Sequence, residues 1–99
     1  MKKKINIDDL PEFDIAQHLK SDADVVEYLS QILEEGDAGE LAAALGHIAK
    51  ARGMTEIARV SGIKREALYK ALRSNSHPRF DTIQRVFKAF GVKLIAAPV

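Results

Sequence analysis

The twenty residues MTEIARVSGIKREALYKALR, numbers 54–73, decide how the rest of this chain is read. Their pattern predicts two short helices joined by a Ser-Gly-Ile turn. Ile57 and Ala58 share the inner face of the first helix. Gly62 stands where the backbone must reverse, a place a residue without Cβ fills at φ > 0 without steric cost. Ile63, Leu68, Ala71 and Leu72 continue an inward face at helical spacing. Ala58, four residues before Gly62, is small where the helices cross. Ser61 is a departure: it puts a hydroxyl at a turn position that is often apolar in such hairpins. The outward face of the second helix carries Lys64, Arg65, Glu66, Tyr69, Lys70 and Arg73. Four cations on one exposed helix face suit the major groove of duplex DNA, which admits a helix and attracts positive charge. The competing reading is a plain α-hairpin whose lysines and arginines are merely solvated.

Around this stretch, 99 residues make one small domain with room for a single core of several helices. Hydrophobic residues are 46% of the chain, which marks it as globular. Alanine and leucine dominate over β-branched runs, which favours an all-α fold. There is no cysteine, so there is neither disulfide nor thiol chemistry. The opening MKKKINIDDLPEF has a basic trio but no apolar run of signal-peptide length, and no stretch approaches the roughly 20 apolar residues of a membrane span. A cytoplasmic location is the expectation. The net charge of +1 conceals a division: residues 1–50 hold 5 lysines and 11 acids, giving −6, whereas residues 51–99 hold 10 lysines and arginines and 3 acids, giving +7. Such asymmetry points to two unlike partners, one of them polyanionic.

Upstream of the hairpin, residues 1–12 lack periodicity and contain Pro11, so they read as a flexible arm; Lys2, Lys3 and Lys4 either touch phosphate or are simply solvated. Residues 14–19 read as one short helical stretch, with Asp14 and Gln17 as a capping box. Ser21 is placed to cap a helix over 22–35. There Asp22 and Asp24 meet the helix dipole, and Val25, Leu29, Ile32 and Leu33 form the apolar face. Gly36 ends it. Asp37 and Glu40 form a second capping box for a helix reaching about residue 52, with Leu41, Ala44, Leu45, Ile48 and Ala49 facing inward. Gly46 costs roughly 1 kcal/mol against Ala inside that helix, and a close helix–helix approach would compensate. Gly53 closes it, and Thr55 is expected to cap the first helix of the hairpin.

Downstream, residues 74–79 are a polar loop. Asp81 with Gln84 is a third capping box, expected to start a last helix with Phe80 just before it as a staple. Ile83, Val86, Phe87 and Phe90 give its core face, and Gly91 ends it. Residues 92–95 are β-prone but too short to be a stable strand alone. They either pack on the core, pair with a second copy, or add to a partner's sheet. The expected architecture is thus all-α: a five-to-six-helix single domain with a helix-turn-helix and a short β-prone C-terminal tail. Its parts are an arm (1–12) and one domain (13–99), divided into an acidic helical half (13–53), the hairpin (54–73), and the last helix and tail (80–95).

With these elements placed, the chain resembles the probable addiction-module antidote family, small HigA-like antitoxins with an Xre/Cro-type helix-turn-helix. The resemblance is carried by Phe13-Asp14, Tyr28-Leu29, Glu35-Gly36-Asp37 and above all residues 44–73, ALGHIAKARGMTEIARVSGIKREALYKALR. Pro78-Arg79-Phe80-Asp81-Thr82 and Phe90-Gly91-Val92-Lys93-Leu94 match as well. It implies a two-gene toxin–antitoxin operon. In it the antitoxin dimer binds its own promoter and neutralises a toxin of the RelE/ParE superfamily, whose members either cut mRNA or act on gyrase.

On that footing, residues 64–72 are the expected recognition helix. Arg65 has the planar fork to meet a guanine O6 and N7 together. Lys64, Lys70 and Arg73 are assigned to phosphates, and Glu66 to a cytosine amine. Tyr69 is assigned to a thymine methyl or a phosphate. Thr55 at a helix start is assigned to the DNA backbone. One such helix reads few bases, so a homodimer on an inverted-repeat operator is expected, with contacts from Phe87, Val92, Leu94 and Ile95. The acidic segment over residues 8–40, with Glu34 and Glu35 as representatives, is assigned to the toxin. Catalysis is not expected. His18, His47 and His77 are about thirty residues apart in no metal-ligand spacing, and the six glycines form no phosphate-cradling loop. No cofactor is expected. The rival readings are a stand-alone phage-type repressor without a toxin, and an interaction module that no longer binds DNA.

Overall fold

A hydroxyl and a carboxylate start the first two helices. Ser21 accepts a hydrogen bond from the Asp24 N–H at 3.1 Å and opens α1, Asp22–Glu35. Asp37 accepts from the Glu40 N–H at 3.0 Å and opens α2, Ala38–Arg52. Each side chain satisfies a backbone donor that has no partner within its own helix. Gly36, at φ 76°, ends α1 by donating its N–H to the Ile32 carbonyl. Three further helices follow: α3, Met54–Ser61; α4, Arg65–Ala71; and α5, Phe80–Ala89. The computed structural model describes Leu19 and residues 21–99, and all regular structure among the described residues is helical. The arm expected at residues 1–12 and the helical stretch expected from residue 14 lie outside the described residues, apart from Leu19, which is buried in the core.

The core takes Val25 and Leu29 from α1 and Ala44, Leu45, Ile48 and Ala49 from α2. Met54 and Ile57 come from α3, Leu68 from α4, Leu72 from just beyond it, and Val86, Phe87 and Phe90 from α5 and its end. α2 packs on α1 and α3, while α3 in turn packs on α4 and α5. The approach of the α4 end to α2 is close. A Cβ built on Gly46 would stand 2.7 Å from the backbone oxygen of Leu72, so the glycine predicted to be compensated by close packing is required by it. Arg52 makes a long-range polar tie. Its guanidinium donates to Asp22 at 2.7 Å and to the Phe90 carbonyl at 3.3 Å, joining the start of α1 and the end of α5 to the end of α2.

Four local expectations are corrected. Thr55 is not a cap. α3 begins at Met54, with Gly53 as its N-cap and no side-chain cap bond, because Gly53 at φ 100° ends α2 and starts α3 on a single residue. Asp81 is not a cap either. Arg79, extended after Pro78, precedes a helix that begins at Phe80, so Asp81 lies in its first turn and pairs with Arg79 at 3.4 Å. Phe80, expected before the helix as a staple, is instead its first residue, 65% exposed and outside the core. Leu33, expected on the inner face of α1, is 43% exposed. At 3.6 residues per turn it lies about 80° round the helix from Val25. The polar Ser61 is explained by its hydroxyl, which donates to the Ala58 carbonyl and accepts from the Ile63 N–H, both at 3.3 Å, and so braces the turn from within.

Candidate nucleic-acid interface

α4 is only seven residues long, and a helix this short is not stable without tertiary support. Leu68 and Leu72 supply it from the inward side, both buried, while Gly62 at φ 74° sets the turn from α3 by donating to the Ala58 carbonyl. What remains outward is the expected set. Lys64, Arg65, Glu66, Tyr69, Lys70 and Arg73 are all exposed, Lys64 as the N-cap residue and Arg73 just beyond the helix. Thr55 is also exposed, in the first turn of α3.

Two arginines of the hairpin are held in contrasting ways. Arg59 donates to both carboxylate oxygens of Glu56, its Nε at 3.0 Å. This hydrogen bond lowers the Glu56 pKa from its usual 4.5 and raises that of Arg59. Arg65 instead lies over the ring of Tyr69, with the guanidinium carbon 5.3 Å from the ring centroid and an Nη donating to the phenol oxygen at 3.4 Å. The pair is spaced i, i+4, which puts both side chains on one strip of the helix. Arg59 is paired with a carboxylate; Arg65 rests on a neutral ring.

Beside this face runs a cleft of about 530 Å³ between α2 and α4. Gly46, Met54 and Leu72 are among its apolar lining, and Glu40, His47, Lys50, Tyr69, Arg73 and Asn75 are among its polar one. Lys50 therefore stands on the cation-rich side from a helix outside the hairpin, and reading residues 54–73 by themselves missed it. The sequence did hold a signal. Gly46 and Lys50 are i, i+4 on α2, so a helix that approaches closely at Gly46 also passes Lys50.

The other expected contacts fall elsewhere. Glu34 and Glu35 occupy the last turn of α1 and are exposed. Phe87, expected at a dimer contact, is 2% exposed and belongs to the core. Val92 is half-buried, its N–H bonded to the Phe87 carbonyl at 3.0 Å, whereas Leu94 and Ile95 are exposed. Among the described residues no group of three His, Asp or Glu side chains is arranged to hold a metal ion, and no helix is long and apolar enough to cross a membrane.

Comparison with known proteins gives two matches. A family model described as probable addiction module antidote protein matches residues 9–98. An uncharacterized protein of Haemophilus influenzae strain Rd is 45% identical over 84 residues, covering 85% of this chain and 87% of that one. No solved structure matches the chain.

Proposed function

The chain belongs to the family of probable addiction module antidote proteins, and from that premise we propose that it is the antitoxin of a type II toxin–antitoxin module that also represses its own operon. It neutralises a toxin of the RelE/ParE superfamily and binds operator DNA through α3 and α4, a helix-turn-helix of the Xre/Cro type. The observation that carries the DNA half is the outward face of α4, where Lys64, Arg65, Lys70 and Arg73 are exposed together on a short helix pinned from behind by Leu68 and Leu72. The face is cationic and rigidly backed, as major-groove docking requires. In this reading Arg65 meets a guanine edge, Glu66 a cytosine amine, and Lys64, Lys70, Arg73 and Thr55 hold the backbone. A homodimer built through Val92, Leu94 and Ile95 places two α4 helices on half-sites about 34 Å apart, or a multiple of that.

The toxin half is supported by the family and by charge. Asp22, Asp24, Glu27, Glu34 and Glu35 all lie on α1, and an acidic helix complements the basic surface that a nuclease toxin needs for RNA. The reading is that of a binding protein acting in the cytoplasm, without catalysis of its own.

A shift assay on the DNA upstream of the gene tests the DNA half. Arg65→Ala should weaken operator binding by about 1–3 kcal/mol and relax sequence preference, leaving non-specific binding nearly intact. Equal binding of operator by parent and variant would sink the assignment of α4. For the toxin half, a double change of Glu34→Lys and Glu35→Lys should slow capture of the neighbouring gene's product, and an unchanged association rate would reject α1 as the docking element.

A further inference from the structure

We propose that Tyr69 is a positioning residue for Arg65: it holds the guanidinium aimed outward before DNA arrives, and makes no base or phosphate contact of its own. The inference rests on the DNA-binding reading above and names how one residue of that interface works. Three features lead to it. First, the two side chains already meet twice, by the 5.3 Å stacking distance and by the 3.4 Å hydrogen bond. A phenol ring occupied by a guanidinium offers one face fewer to DNA. Second, stacking uses the face of the guanidinium, while bidentate recognition of guanine uses its edge. The fork has five N–H donors; the phenol takes one, and an edge of two remains. Tyr69 thus fixes Arg65 without consuming what Arg65 needs. Third, no carboxylate among the described residues pairs with Arg65, unlike Arg59 with Glu56. A carboxylate holding Arg65 would have to be displaced before an anionic duplex could be engaged. A neutral ring orders the side chain and leaves its charge uncancelled.

The gain is one of preorganisation. A free arginine loses several rotamers on docking, and one already laid along the helix loses fewer. The contact is exposed, so its contribution is small: removing it should reduce guanine discrimination about two- to five-fold.

The test uses the full chain and fluorescence anisotropy on the upstream duplex, with single base-pair changes scanned to find the guanine whose replacement no longer matters to Arg65→Ala. Discrimination at that guanine is then measured for Tyr69→Leu and Tyr69→Phe, and affinity for the unaltered duplex is measured for Tyr69→Leu with and without Arg65→Ala. Thermal melts confirm folding, and Tyr69 lies on the surface. The expected result is a two- to five-fold loss of discrimination and of affinity for Tyr69→Leu, most of it restored in Tyr69→Phe, which keeps the ring. In the Arg65→Ala background Tyr69→Leu should cause no further loss of affinity. An equal loss of affinity with and without Arg65 would show Tyr69 touching DNA directly and overturn the inference. So would full discrimination in Tyr69→Leu. Either outcome leaves the DNA reading standing. That reading fails separately, and takes the inference with it, if the parent binds no upstream duplex.

Discussion

Replacing Gly46 by alanine sets two physical effects against each other, and the structure says which wins. Helix propensity alone predicts stabilisation, because alanine inside a helix is favoured over glycine by about 1 kcal/mol. The new methyl, however, would be 2.7 Å from the Leu72 backbone oxygen, whereas a carbon settles against a carbonyl oxygen at roughly 3.3 Å or beyond. The α2–α4 contact must therefore open by about 0.6 Å. Leu72 cannot yield by rotating a flexible side chain, since the obstacle is its main chain and its side chain lies in the core. Overpacking of this kind costs about 1–3 kcal/mol, and a backbone obstacle puts Gly46 in the upper half of that range. Setting the propensity gain against it leaves a net loss of about 1–2 kcal/mol, equivalent to a fall in Tm of roughly 4–16 °C for a domain of this size. Thermal and urea unfolding of Gly46→Ala against the parent measure it. A variant as stable as the parent, or more so, would refute the claim that close approach decides this position.

Other perturbations have equally definite outcomes. Lys50→Ala should weaken operator and non-specific duplexes alike and reduce the salt slope by about one unit, as should Lys70→Ala; an unchanged slope in anisotropy titrations would remove Lys50 from the interface. Asp22→Ala takes away the 2.7 Å partner of Arg52 and an acid from the first turn of α1, and should cost about 1 kcal/mol in urea unfolding. The pH dependence of the Glu56–Arg59 pair has a definite sign. Folding lowers the Glu56 pKa below its usual 4.5, so its contribution is fully present above that value and fades as pH falls through the lowered one. The stability difference between the parent and Glu56→Gln should therefore vanish in acid, and a difference constant with pH would contradict the pairing.

Most of the helical order was legible because it depends on short-range signals. Ser21 and Asp37 each sit three residues before the N–H they accept from, so a local pattern specifies the bond. Gly36, Gly62 and Gly91 have positive φ at helix ends, as turn chemistry demands. The misreadings share a cause. Asp81 and Thr55 have the residue types of caps, but whether a side chain caps depends on where the preceding backbone delivers it. Pro78-Arg79 and Gly53 deliver the chain two residues earlier than the capping pattern implies. Leu33 is the burial counterpart. Periodicity places it on a face, but how far the neighbouring helices extend over that face is a tertiary fact; Phe87 lies in the core as its periodicity predicted, and not at the surface that its dimer assignment required. The exposed side of α4 was readable in full, because six polar or amphipathic residues among ten leave only one way to turn the helix. Lys50 was not, since its place in the cleft with Tyr69 follows from the approach of Leu72 to Gly46, a contact between helices and not part of the hairpin's own pattern.

The division of charge gains a physical meaning once the elements are in place. At 0.1 M salt, charges influence one another over about 10 Å, so acids beside α4 would cancel the attraction its lysines and arginines exert on phosphate. The five acids of α1 are kept from doing so by packing order: α1 packs chiefly on α2, and α4 chiefly on α3, with α2 and α3 joining the two ends. One tie that crosses from the acidic helix to the rest, Asp22 to Arg52, uses a cation at the end of α2 and leaves those of α4 unpaired by it. In the proposed reading this arrangement lets one 99-residue chain present an anionic helix to a basic toxin and a cationic helix to DNA. Adding a second acid to the cleft side, which already holds Glu40, is then the informative change. Lys50→Glu should depress operator binding by more than the loss of one phosphate contact, while leaving toxin capture at α1 unaltered. A matching loss at both partners would mean that the two surfaces are not electrostatically separate.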